Sequence, residues 1–128
     1  MIYLDSSVVL ARLLAEARQP PITLWEEACV SGRLLEYEVW NRILARGLGP
    51  SHGEEVHAAL REIDMVNLTR LALRRALQPF PIAVRTLDGL HLATIEFLRG
   101  QGESVQLASY DGRMVEAARA LGVPLYAL

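Results

Sequence analysis

Short apolar runs that stop on an aspartate organise this chain. Met1-Ile2-Tyr3-Leu4 ends on Asp5, Val105-Gln106-Leu107-Ala108-Ser109-Tyr110 ends on Asp111, and Asp88 opens the apolar helical pattern Leu87 to Ala93. Only four aspartates are present, and three of them mark the end of an element. In an open parallel sheet the ligand crevice lies beyond the carboxyl ends of the strands, so acids placed there converge on one site instead of dispersing into solvent. The pattern predicts a bound divalent cation.

The segments between these acids alternate. Strand 1–4 is followed by Ser6-Ser7 and an apolar helical face of Val8, Val9, Leu10, Leu13 and Leu14. Pro20-Pro21 breaks the chain, a short helix is expected from about Thr23 to Val30, and Arg33-Leu34-Leu35 reads as a short strand. A helix carrying Val39, Trp40, Ile43 and Leu44 ends in Gly47-Leu48-Gly49-Pro50, and Ser51 with Glu54 has the spacing of a capping box for the next helix. Met65 to Leu68 reads as a strand, Thr69 caps an arginine-rich helix over 70–77, and Thr86 is the expected cap of the helix holding Asp88. Strand 105–109, helix 112–121, Gly122 as its terminator and a last strand over 123–127 complete the series. Short apolar strands joined by helices imply right-handed crossovers, so the expected class is α/β: three α/β/α layers around a short, mainly parallel sheet.

At 128 residues the chain matches one domain with one sizeable core, and nothing in it reads as a linker. The apolar fraction of 52% is high, yet no apolar run approaches the roughly 20 residues of a membrane helix. No secretory pattern opens the chain, so a cytoplasmic location is expected. The single cysteine, Cys29, excludes an internal disulfide and leaves no Cys/His array for zinc. All thirteen basic residues are arginine. Without lysine there is no P-loop, no Schiff-base amine, and none of the lysine that phosphoaspartate receivers normally set beside their acids.

Asp88, His91, Leu92 and Ile95 share one helical face. A carboxylate entering that apolar face must be paired, hydrogen-bonded, protonated or metal-bound, because leaving it bare costs several kcal/mol, on the order of the penalty for any buried ion. Each acid also has a purely structural reading: Asp5 as a turn residue, Asp88 as a first-turn acid in the helix field, Asp111 as a helix cap. A further acid must come from Glu36 or Glu38, which point about 200° apart if both are helical. Periodicity alone leaves that choice open.

The ordered set Ile2-Tyr3-Leu4-Asp5-Ser6-Ser7, Tyr37-Glu38-Val39-Trp40-Asn41, Leu87-Asp88-Gly89-Leu90-His91-Leu92-Ala93 and Ser109-Tyr110-Asp111 resembles a PIN domain, most closely the VapC toxins, over essentially the whole chain. The resemblance implies Asp5, Glu38, Asp88 and Asp111 as catalytic acids and metal ligands. Ser7 matches the hydroxyl residue two places after the first aspartate, and Ser109 stands where the family commonly has threonine. Leu34-Leu35 departs from the pattern, lacking the Ser or Thr often found just before the family's glutamate. The implied activity is endoribonuclease cleavage giving a 3′-hydroxyl and a 5′-phosphate. The implied partners are RNA, a small antitoxin protein and a second copy of the chain, with operator DNA reached only through the antitoxin.

Two carboxylates about 5 Å apart repel by roughly 3 kcal/mol at an effective dielectric of 20, so four converging acids need a counter-charge. Oxygen ligands suit Mg²⁺, with Mn²⁺ as a substitute, and such an ion serves phosphodiester hydrolysis. Ser7, Ser109 and Arg113 are the expected positioning groups for water or phosphate. A hard oxygen site has little use for imidazole, so His91 reads as a buried structural residue. Arg70, Arg74 and Arg75, with Arg85 nearby, form a basic cluster able to follow a phosphate backbone. The competing reading is a catalytically silent PIN-like module that binds RNA or a protein.

Overall fold

The computed structural model describes all residues, 1–128. Four strands, β1 (Ile2–Leu4), β2 (Cys29–Gly32), β3 (Asp64–Val66) and β4 (Gln106–Ala108), form one sheet in the order β3-β2-β1-β4, and every pairing is parallel. Six helices surround it: α1 (Ser6–Leu13), α2 (Leu34–Ala45), α3 (Gly49–Arg61), α4 (Arg70–Ala76), α5 (Thr86–Gly100) and α6 (Gly112–Ala120). The chain builds outward from β1 through β2 to β3, then returns to place β4 on the other side of β1. This reversal opens a crevice at the carboxyl ends of β1 and β4, the usual ligand position in an open parallel sheet.

Strand alternation divides the core between the two faces. Ile2 and Leu4 join Val8, Leu35, Val39, Ile43 and Val56 in one apolar cluster, whereas Tyr3 joins Leu92, Ile95, Leu107 and Met114 in the other. Helices α1, α2 and α3 therefore cover one face and α5 and α6 the other, the expected three-layer arrangement.

Local expectations failed where a competing interaction took over. Residues 22–26 form a 3₁₀ turn, and Cys29 lies in β2 instead of a helix. The strand expected at 33–35 sits four residues earlier, because Val30 pairs with Tyr3 and Asp64 while Arg33 already leads into α2. Helix α3 begins at Gly49 with Pro50 in its first turn, so Ser51 lies inside the helix and bonds back to the Leu48 carbonyl (3.3 Å) in place of forming a capping box. The last strand is reduced to one bridge, Leu107 to Leu125, because Pro124 has no N–H to extend a ladder. Thr69 does cap α4, accepting from the Ala72 amide at 3.0 Å. Gly122, at φ +70°, closes α6: its amide and that of Val123 bond back to Arg119 and Ala118.

Leu107 is fully buried, pairs in register with Tyr3 and bridges to Leu125. Leu107→Ala should cost about 2–5 kcal/mol through lost burial and a residual cavity, read as a lowered urea midpoint with an unchanged slope.

Candidate active site

Three helices begin at the crevice, and each begins on or next to an acid. Asp5 caps α1, with Oδ2 accepting from the Ser7 amide at 3.3 Å, and Asp111 caps α6, with Oδ1 accepting from the Arg113 amide at 3.0 Å. Asp88 lies in the first turn of α5. The positive ends of three helix dipoles thus face the same acidic space, so the structural readings of these acids hold alongside their convergence. Glu38, in the second turn of α2, enters from the side. The four carboxylates line one cleft of about 510 Å³, together with Ser6, Ser7, Arg42 and Arg85.

Asp5 is only 5% exposed and is held by the most complete network in the site. Its Oδ2 accepts hydrogen bonds from Ser7 Oγ at 2.5 Å and Ser109 Oγ at 2.9 Å. Those hydroxyls in turn accept the Tyr110 amide (2.9 Å) and the Asp111 amide (3.0 Å). Residues 109–111 are therefore tied to the start of α1 through two serines, and Asp5 Oδ1 is left free of protein partners. Both serine protons are committed to Asp5. Ser7 lines the cleft, whereas Ser109 is buried behind it.

Glu36 and Glu38 are placed differently. Glu36 pairs outward with Arg33 at 2.8 Å, and Glu38 faces the cleft. Glu38 Oε2 accepts from Ser6 Oγ at 3.3 Å, and Oε1 is hydrogen-bonded to His91 Nε2. His91 is buried, as expected of a structural histidine, and its Nδ1 lies 2.7 Å from Tyr3 Oη, which accepts the Gly32 amide at 2.9 Å. An ionised Glu38 can only accept, so Nε2 carries a proton, and in the neutral ring Tyr3 donates to Nδ1. Burial pushes the Tyr3 phenol well above its usual range, which keeps it a donor. A Cβ at Gly32 would stand 2.8 Å from Tyr3 Oη, so only glycine admits this packing.

Arg85 is the group whose role the sequence pattern missed. Its Nε donates to Asp88 Oδ2 at 3.1 Å, and its Nη2 pairs with Asp111 Oδ2, so one guanidinium bridges acids from two elements. The i, i+3 spacing of Arg85 and Asp88 at a helix start was the available signal. Arg75, grouped with it on sequence, is instead consumed by an ion pair with Glu96 and stacks 4.2 Å over Phe80. Arg113 lies beside the cleft, in an adjoining hollow with Ile82, Val84, Arg85 and Asp88. Trp25 and Trp40 pack on the core, Trp25 beneath the Arg12 guanidinium at 4.5 Å, while Tyr37 is exposed.

Two curated proteins of Mycobacterium tuberculosis frame this geometry. Ribonuclease VapC46 is 32% identical over 130 residues, spanning 98% of this chain and 96% of its own. Ribonuclease VapC35 is 28% identical over 133 residues, spanning 99% and 96%. This chain belongs to the VapC ribonuclease family. No protein-family model matches it. Within the VapC frame, the motifs around Asp5, Glu38, Asp88 and Asp111 are the segments whose acids line the cleft.

Two stability predictions follow from these contacts. Tyr3→Phe strands the Gly32 amide and His91 Nδ1 in the core, and should cost about 1–3 kcal/mol in denaturant unfolding. The second concerns pH. Burial pushes the Asp88 carboxyl above its usual range, against the lowering pull of the Arg85 hydrogen bond and charge, with Asp111 and Asp5 adding to the rise. The folded state therefore binds this proton more tightly than the unfolded chain, and stability falls as pH rises from the unfolded to the folded pKa. In chelator at neutral pH, Asp88→Asn should raise the melting temperature, by about 3–6 °C per kcal/mol recovered, and should flatten that part of the pH profile.

Proposed function

We infer that the chain is a Mg²⁺-dependent endoribonuclease, the toxin half of a toxin-antitoxin pair, with Asp5, Glu38, Asp88 and Asp111 as its catalytic and metal-binding acids. The observation that carries this reading is the lining of the cleft, where four carboxylates face only two arginines, Arg42 and Arg85. With all four acids ionised the lining keeps a net charge of −2 (two positive against four negative), and every potential ligand is a hard oxygen. That donor set fits Mg²⁺ or Mn²⁺ better than a softer metal.

When bound, a divalent ion supplies Lewis-acid neutralisation of the phosphate and lowers the pKa of water. The chain's own groups do the rest. Ser7, Ser109 and the Ser7 amide fix Asp5 Oδ2, which leaves Oδ1 without a protein partner and available as a ligand. His91 and Ser6 hold Glu38, and the caps of α1 and α6 hold Asp5 and Asp111 against the rigid sheet. Arg42 and Arg85 are the cations best placed for the incoming phosphate, with Arg113 next to them.

A small antitoxin protein as the neutralising partner and a homodimer as the assembled form belong to the same reading. Leu68, Leu71, Leu73 and Leu77 are exposed on and beside α4, an apolar surface that supports protein contact. The cytoplasm is the compartment this reading requires, and no helix is long and apolar enough to cross a membrane.

One observation favours the silent-module alternative: as they stand, no three of the chain's histidine and carboxylate groups are gathered closely enough to grip one ion. Cleavage separates the two readings. Wild type should cut labelled RNA with Mg²⁺ and stop in EDTA. Asp5→Asn, whose amide oxygen can still take the serine hydrogen bonds, should keep the fold and lose more than about 100-fold in rate, beyond the 10–100-fold typical of a lost supporting contact. RNA binding without metal-dependent product would select the silent module.

A further inference from the structure

We propose that Arg85 is an exchangeable counter-charge: it bridges Asp88 and Asp111 in the metal-free cleft, and passes to an RNA phosphate when a divalent ion takes those carboxylates. This inference rests on the metal-dependent reading above and deepens it by assigning a substrate contact. Three features carry it. The guanidinium contacts Asp88 through Nε and Asp111 through Nη2, holding together acids from α5 and the start of α6. Arg85 is the last residue of the 77–85 connection, and its side chain is 55% exposed, so it can swing without disturbing the core. The same cleft holds a second arginine, Arg42, which makes no ion pair, so the bridging by Arg85 is a specific arrangement and not the general behaviour of cations there.

The exchange is chemically balanced. A divalent ion bound to Asp88 and Asp111 removes the charge that holds Arg85, and its five-donor fork then matches phosphate geometry. Metal and RNA binding are thereby coupled, each strengthening the other through one side chain.

The test is titration calorimetry of the full chain with Mn²⁺ alone, paired with steady-state cleavage of a fluorogenic RNA. Arg85→Gln should bind Mn²⁺ about 5-fold more tightly or better, while KM for RNA rises by a similar factor. Arg85→Lys keeps the charge but cannot bridge both acids, and should bind Mn²⁺ more tightly than wild type with KM close to it. Arg42→Gln, which removes an unpaired charge from the same lining, should gain less Mn²⁺ affinity than Arg85→Gln. The proposal is overturned if Arg85→Gln binds Mn²⁺ no better than wild type, if Arg42→Gln matches its gain in Mn²⁺ affinity, or if Arg85→Gln leaves KM unchanged. Binding of Mn²⁺ by wild type and Arg85→Gln alike with equal affinity sinks the exchange alone. Binding by neither removes the metal reading itself and the exchange with it.

Discussion

Like charges gathered in a confined space are the constraint that the rest of this molecule answers. Each of the four carboxylates is compensated differently. Asp5 is paired with two hydroxyls and an amide, Asp111 with an amide and Arg85, Glu38 with Ser6 and His91, and Asp88 with Arg85. Three of these acids, Asp5, Asp88 and Asp111, also sit at helix starts, which a parallel sheet supplies where its strands end. The topology thus provides both the place where the acids gather and part of the positive field around them.

The core reaches into this site through one path. Tyr3 is a buried strand residue in the α5-side cluster, yet its hydroxyl meets Gly32 of β2 and His91 of α5, and His91 passes the contact to Glu38 of α2. Two strands and two helices are therefore fixed relative to one another by polar contacts in an otherwise apolar interior. Because no buried side-chain polar atom lacks a partner, the arrangement specifies the position of Glu38 without the penalty of an unsatisfied group.

How much of this was legible in the chain depended on whether a feature was local. The acids at the ends of apolar runs, the alternation of strands and helices, and the Thr69 cap were visible because each is written in neighbouring residues. The position of β2 was not: Cys29 to Gly32 is a strand because β1 and β3 pair on either side of it, and no run of four residues encodes those partners. Glu36 and Glu38 were indistinguishable by period; the family resemblance pointed to Glu38, and the physical difference between them lies in the placement of Arg33 and His91 in space. His91 was correctly read as buried, but its bond to Glu38 lies 53 residues away in sequence and left no local trace. Arg85 was grouped with other arginines by charge, whereas its partners set its role.

Asp88 illustrates why such a site resists being optimised for stability. Its burial favours the neutral acid, while the chemistry inferred here requires the anion, so the folded chain carries a charge it would be more stable without. Arg85 offsets part of that cost and suits the task because a guanidinium contacts two carboxylates at once, which a single ammonium on a flexible stem does not do as well. An opposing charge that binds too firmly would exclude the metal, and one too weak would leave the acids repelling each other. A half-exposed arginine at the end of a connecting segment falls between these limits, holding the cleft together by contacts that solvent can replace and that, in the proposed exchange, a divalent ion would replace.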